Sequence, residues 1–176
     1  GLKGQGLLII KNIQNIEPVV HGGGQEYGLR SGTVNLPMAV SMVKSIKLTM
    51  GRLDEARRKL NKMNQSVRTF LEEFRGVYIN SPKDSAPQII NVSFPGVKGE
   101  VLVNAFSKHG VMISTTSACS SKRGKLNEVL LAMGVPDARI EGSIRISMGV
   151  HTTEEDIQRF KEVFEQVYEE VKELLK

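Results

Sequence analysis

The strongest constraint in this chain is a helical hydrophobic period sustained over residues 37–74. Ala39, Met42, Val43, Ile46, Leu53, Ala56, Leu60, Met63, Val67, Phe70, Leu71 and Phe74 recur mostly at three- and four-residue steps. That spacing lines them along one side of a 3.6-residue helix. Pro37 suits a first turn, where it has no N–H to lose. Arg75-Gly76 supplies the basic residue and the glycine of a helix stop. Unbroken, the run would be about 58 Å long at 1.5 Å per residue. Gly51 is the expected point of a bend or break, since glycine is the weakest residue of the run in a helix interior.

Beyond Gly76 the signals are shorter and alternate between strand and helix. Residues 77–80 and 88–94 are β-branched runs flanking the turn Ser81-Pro82-Lys83-Asp84, which predicts two strands. Val101, Leu102, Ala105 and Phe106 have helical spacing, Gly110 stops that helix, and residues 111–114 predict a third strand. Residues 114–124 hold no large apolar side chain and predict a loop. A helix over 125–133 stopped by Gly134, and a strand over 143–148, come next. The last helix opens on the cap Thr152-Thr153-Glu154-Glu155 and carries Ile157, Phe160, Val163, Phe164, Val167, Val171, Leu174 and Leu175 on one face. The pattern predicts an α+β unit, a small sheet covered by helices on one face. Residues 1–35 fit it poorly. They hold a predicted buried strand at 7–10 and a glycine-rich loop at 20–34, and read as the tail of another domain, which sets the domains at 1–35 and 36–176.

Composition narrows the class. The chain has 176 residues, 40% apolar and 24% charged, which excludes a disordered or low-complexity polymer. No apolar run is long enough for a membrane helix. A single cysteine points to a reducing compartment, and no secretory leader is visible, so a cytoplasmic location is expected. The net charge of +5 raises nucleic acid as a partner. However, Arg52, Arg57, Arg58, Lys59, Lys62 and Arg68 share one helix with acids, and aromatics are only 5%. A solvated helix face is the better reading, with no direct nucleic-acid binding.

Three places carry chemistry. Cys119 has small polar neighbours rather than the large apolar ones of a buried thiol, and Lys122 and Arg123 favour its thiolate. The glycines around His21 and Thr33 expose backbone N–H groups to which Ser31, Thr33 and Arg30 can add donors for an anion. A tight structural turn explains that loop equally well. His21 has no metal-spaced partner and reads as a loop or core residue, so no metal site is expected. Arg145 stands between two isoleucines in a predicted strand. It is either an edge residue with its head in water or a guanidinium that clamps a carboxylate.

Taken together these segments become recognisable. His21-Gly22-Gly23-Gly24-Gln25-Glu26-Tyr27-Gly28-Leu29-Arg30-Ser31-Gly32-Thr33 resembles the HGGGxExGxRSGT segment of cysteine desulfurases, pyridoxal-phosphate enzymes of the class V aminotransferase group. Ser117-Ala118-Cys119-Ser120-Ser121 resembles their catalytic loop. Ser143-Ile144-Arg145-Ile146-Ser147-Met148-Gly149, followed by Thr152-Thr153-Glu154-Glu155, resembles their ending. The resemblance implies the C-terminal domain of a fold-type I enzyme, with 1–35 left over from the cofactor-binding large domain. It implies a reaction that takes sulfur from L-cysteine, leaves L-alanine and places a persulfide on Cys119. Sulfur acceptors would be an iron–sulfur scaffold or a tRNA-thiolation protein. It assigns Arg145 to the substrate carboxylate and Thr33 to the cofactor phosphate of the partner subunit in a homodimer.

Family members are about twice this length. Gly1-Leu2-Lys3-Gly4 resembles a segment lying just after their Schiff-base lysine, so Lys3 is not that lysine. The expectation is a fragment beginning just past the cofactor anchor, inactive alone and binding no pyridoxal phosphate. A stand-alone persulfide carrier or partner-binding module, or another class V relative such as a selenocysteine lyase, are the alternatives.

Overall fold

A computed structural model of the chain describes residues 2–12, 16–115 and 127–175. It divides into two compact units, Gly1–Asp54 and Glu55–Lys176. The long hydrophobic period folds as two helices, α1 (Leu36–Met50) and α2 (Leu53–Leu71), separated at Gly51 and Arg52. Asn35 caps α1, its side-chain oxygen accepting from the Met38 N–H, and Pro37 stands in the first turn.

The second unit holds the core. After α2 come β1 (Tyr78–Ile79), β2 (Ile89–Ser93), α3 (Gly99–Lys108), β3 (Ser114–Thr115), α4 (Glu128–Ala132), α5 (Asp137–Glu141), β4 (Ser143–Ser147) and α6 (Glu154–Val171). The four strands form one antiparallel sheet in the order β1-β2-β4-β3. Alternation then decides each face. Ile90, Val92, Ile144 and Ile146 are buried in the core with Leu60, Met63 and Val67 of α2, Leu102 and Phe106 of α3, and Phe160, Val163 and Phe164 of α6. Phe164 makes edge contacts with Phe70 and Phe74 at ring separations of 5.5 and 4.9 Å. Helices thus cover one face of a small sheet, as the pattern predicts.

Two details lock the unit. Thr153 and Asp156 form a reciprocal cap at the start of α6, the Thr153 hydroxyl accepting from the Asp156 N–H and the carboxylate from the Thr153 N–H. Gly142 sits where a Cβ would lie 2.2 Å from the Phe94 carbonyl oxygen. Only a residue without that atom allows the Phe94 N–H to reach the Gly142 carbonyl at 2.9 Å.

Other features differ from expectation. Residues 7–10 form no strand, and Leu7, Leu8 and Ile9 are exposed. A strand needs a neighbour for its backbone groups, and among the described residues none lies beside it. The third strand is only Ser114–Thr115. The short helix α5 comes after Val135-Pro136 without a periodic apolar stripe that would have announced it. Arg68 is no mere member of a solvated face: it donates to Asn64 Oδ1 at 2.7 Å and to the carbonyls of Ser81 and Pro82 at 3.0 and 2.8 Å. It thereby ties α2 to the turn after β1.

Candidate functional site

The glycine-rich loop belongs to the first unit and is tied to itself. Ser31 is buried there, and its hydroxyl donates to the Gly23 carbonyl at 2.7 Å. The Gly32 N–H donates to Gln25 Oε1 at 3.2 Å, and Val20 and Arg30 form a parallel bridge. The Arg30 guanidinium turns back on the Ser31 carbonyl. Between them Glu26 and Tyr27 both adopt positive φ, 51° and 58°, a conformation costly for residues with a Cβ and found where a loop is held for a purpose. His21 and Thr33 are exposed. Thr33, which is exposed, lies one residue past the bonded part of the loop and two before the α1 cap.

Arg145 belongs to the second unit. It lies on β4, an interior strand between β2 and β3, so an edge position does not account for it. Its neighbours Ile144 and Ile146 are buried, and Arg145, on the other face of the strand, is exposed. Register sets it between Asn91 of β2 and Ser114 of β3. Among the described residues no carboxylate pairs with it. The strand below it is held by a polar chain on the same face. Asn91 is buried, and its amide donates to the Ile144 carbonyl at 3.0 Å. Asn80 donates to Asn91 Oδ1 and to Ser93 Oγ, both at 2.6 Å. Arg139 donates to Asn80 Oδ1 and lies over the Tyr78 ring at 4.7 Å. Sequence reasoning missed Asn80, Asn91 and Arg139. The available signal was parity: Asn91 and Ser93 alternate with Ile90 and Val92, which marks a polar sheet face with a job other than core packing.

Cys119 lies outside the described residues, as do residues 116–126 around it. Among the described residues no group of His, Cys, Asp or Glu could hold a metal ion, and no helix is long and apolar enough to cross a membrane.

The described structure is thus a small sheet with helices over one face and Arg145 on the other, and, in a separate unit, a glycine loop bonded to itself. Residues 1–160 match the family model described as Aminotransferase class-V. The chain belongs to the class V aminotransferase family. Among curated proteins it is 37% identical to a cysteine desulfurase IscS of Clostridium botulinum, over 99% of this chain and 45% of that one. It is 36% identical to the cysteine desulfurase IscS of Dictyoglomus turgidum, over 98% and 44%. Among solved structures it superimposes on a NifS-like protein with a TM-score of 0.71 at 34% identity, covering 90% of this chain and 40% of the other. A NifS-like protein from Rickettsia africae gives 0.72 at 27% identity, over 87% and 40%. The chain therefore spans a little under half the length of the curated relatives it matches. The likeness to cysteine desulfurases, legible in three segments of the sequence, extends over nearly all of it.

The residues present fit a contribution to a pyridoxal phosphate site. A hydroxyl on a loop fixed by its own hydrogen bonds suits a phosphate oxygen, and a guanidinium with no described carboxylate partner suits a carboxylate.

Proposed function

We propose that this chain is the C-terminal part of a cysteine desulfurase, with residues 1–35 derived from the cofactor-binding large domain and 36–176 forming the C-terminal domain. The parent enzyme takes the sulfur of L-cysteine, releases L-alanine and leaves a persulfide on Cys119. Atoms and electrons balance without an outside oxidant: one cysteine and one thiol give one alanine and one persulfide. Bound pyridoxal phosphate would supply the electron sink for breaking the carbon–sulfur bond.

In this reading Arg145 holds the substrate carboxylate with two parallel N–H···O bonds and so orients the sulfur toward the attacking thiolate. The Thr33 hydroxyl donates to the cofactor phosphate of the partner subunit in a homodimer. Cys119, with Lys122 and Arg123 close behind it in sequence, is the nucleophile that carries sulfur to an acceptor protein, an iron–sulfur scaffold or a tRNA-thiolation protein, in the cytoplasm. The observation that carries the reading is Arg145: an exposed arginine on an interior strand, with its strand held by a polar chain on the same face.

A second reading is a persulfide carrier with no turnover of its own, which would need only the thiol of Cys119. It predicts a reactive Cys119 and no bound pyridoxal phosphate. The test of both is direct. The 176-residue chain incubated with pyridoxal phosphate and L-cysteine should release no alanine, while a protein completed with the relatives' remaining portion should release it and gain 32 Da (one sulfur, about that mass) on Cys119. Alanine release by a completed Cys119→Ser protein at the normal rate would remove Cys119 from the mechanism.

A further inference from the structure

The hydrogen bonds beside β4 have a direction, and one side chain sets it. A guanidinium only donates, so the Asn80 group that meets Arg139 must be its oxygen. The Asn80 nitrogen is then left to face Asn91 and Ser93, where it donates to Oδ1 and to Oγ, both at 2.6 Å. With its oxygen so occupied, Asn91 turns its nitrogen to the Ile144 carbonyl, 3.0 Å away. That carbonyl shares a planar peptide unit with the Arg145 N–H. The bonds therefore run from Arg139 through two amides to the backbone that carries Arg145. An acceptor in place of Arg139 would reverse both amides and set the Asn91 oxygen against the Ile144 oxygen.

Packing does not account for Arg139. It lies over the Tyr78 ring at 4.7 Å, and its Nε is buried without a partner among the described residues. An apolar side chain over Tyr78 would avoid stranding that donor. We propose that Arg139 is a positioning residue for Arg145: by fixing the orientation of Asn80 and Asn91, it holds the strand backbone from which the Arg145 guanidinium meets a substrate carboxylate. The inference rests on the proposed function for the role of Arg145. A two-pronged contact tolerates little displacement, so loosening the backbone beneath it weakens the hold on the carboxylate in ground and transition state alike. KM should rise while kcat holds.

The test has two arms. In the 176-residue chain, proton–nitrogen correlation spectra follow the Arg145 amide, whose signal responds to the hydrogen bond on the carbonyl of its own peptide unit. Arg139→Met should move that signal. Arg139→Lys should leave it in place, because an ammonium also only donates and keeps a cation over Tyr78. Asn80→Asp should move it, and serves where Arg139→Met does not fold. Its carboxylate still accepts from Arg139 but cannot donate to Asn91, whose nitrogen must then turn away from Ile144. In the completed protein, Arg139→Met and Asn80→Asp should each raise KM for L-cysteine by at least about 5-fold with kcat within about 2-fold. Arg139→Lys should stay within about 2-fold of the parent in both constants, and the double variant Arg139→Met with Asn80→Asp should be no worse than the poorer single one, since both break one chain. Val167→Ala, a cavity in the core on the other face of the sheet, should lower the melting temperature without moving KM. An Arg145 amide indifferent to both Arg139→Met and Asn80→Asp overturns the inference. A KM that tracks melting temperature across all the variants, Val167→Ala included, overturns it too. An amide that responds in a chain whose completed parent releases no alanine upholds the placement of Arg145 by Arg139 and counts against the proposed reaction instead.

Discussion

Arg145 and the polar residues beside it carry different burdens, and substitutions should separate them. Arg145 is exposed and makes no described ion pair, so Arg145→Lys should leave the melting temperature of the chain within about 1–2 °C of the parent. In a completed enzyme the same change should lower kcat/KM for cysteine by about 30- to 1000-fold, since an ammonium cannot reproduce a two-pronged planar contact. A loss of melting temperature with normal turnover per folded molecule would make Arg145 structural. Asn91 should behave the opposite way. It is buried and bonded to Asn80 and to the Ile144 carbonyl. Asn91→Ala should therefore destabilise the chain by about 1–3 kcal/mol in urea unfolding, the penalty for stranding buried polar groups.

Elements in this chain begin and end where local chemistry says they should, and the tightest of them depends on one glycine. Gly142 lies directly before β4, with the Phe94 and Val97 carbonyl oxygens 2.2 and 2.7 Å from where a Cβ would stand. Gly142→Ala must push β4 away from the segment after β2, breaking the Phe94–Gly142 bond and disturbing the register that sets Asn91 beside Arg145. We expect a loss of at least about 2 kcal/mol by thermal or urea unfolding, in the range of core overpacking. A neutral result would mean that the β2–β4 junction yields easily. The break between α1 and α2 is legible in Gly51, and the start of α6 in its cap, because both are decided by residues within one turn. The absence of a strand at residues 7–10 is not legible locally, because an apolar run reads the same whether or not a neighbouring strand exists to pair with it.

At the scale of the molecule the two units should differ in stability. All the described buried hydrophobic residues belong to the second. Native-state hydrogen exchange on the chain alone should find the slowest amides in β2, β4 and α6. Residues 2–12 should exchange near the rate of unstructured peptide, because little apolar burial opposes their opening. Brief proteolysis should cut before residue 54 sooner than within the helices and strands described after it. Equal protection on both sides of that point would show that the first unit is held by contacts other than a core.

The sequence alone determined what depends on neighbours a few positions apart: helical periods, caps, stops, the glycine loop and the three segments that resemble cysteine desulfurases. It also supplied Cys119, Thr33 and Arg145 as the residues to ask about. The tertiary structure decided what depends on distant pairing. Arg145 is on an interior strand rather than an edge because β4 lies between β2 and β3. The brace from Arg139 through Asn80 to Asn91 exists only because Asn91 meets the Ile144 carbonyl across 53 positions of chain. Strand register is a relation between remote residues, set by which faces can bury their side chains together, and no local run of residues specifies its partner. For the same reason a helical period says which residues share a side but not what that side meets.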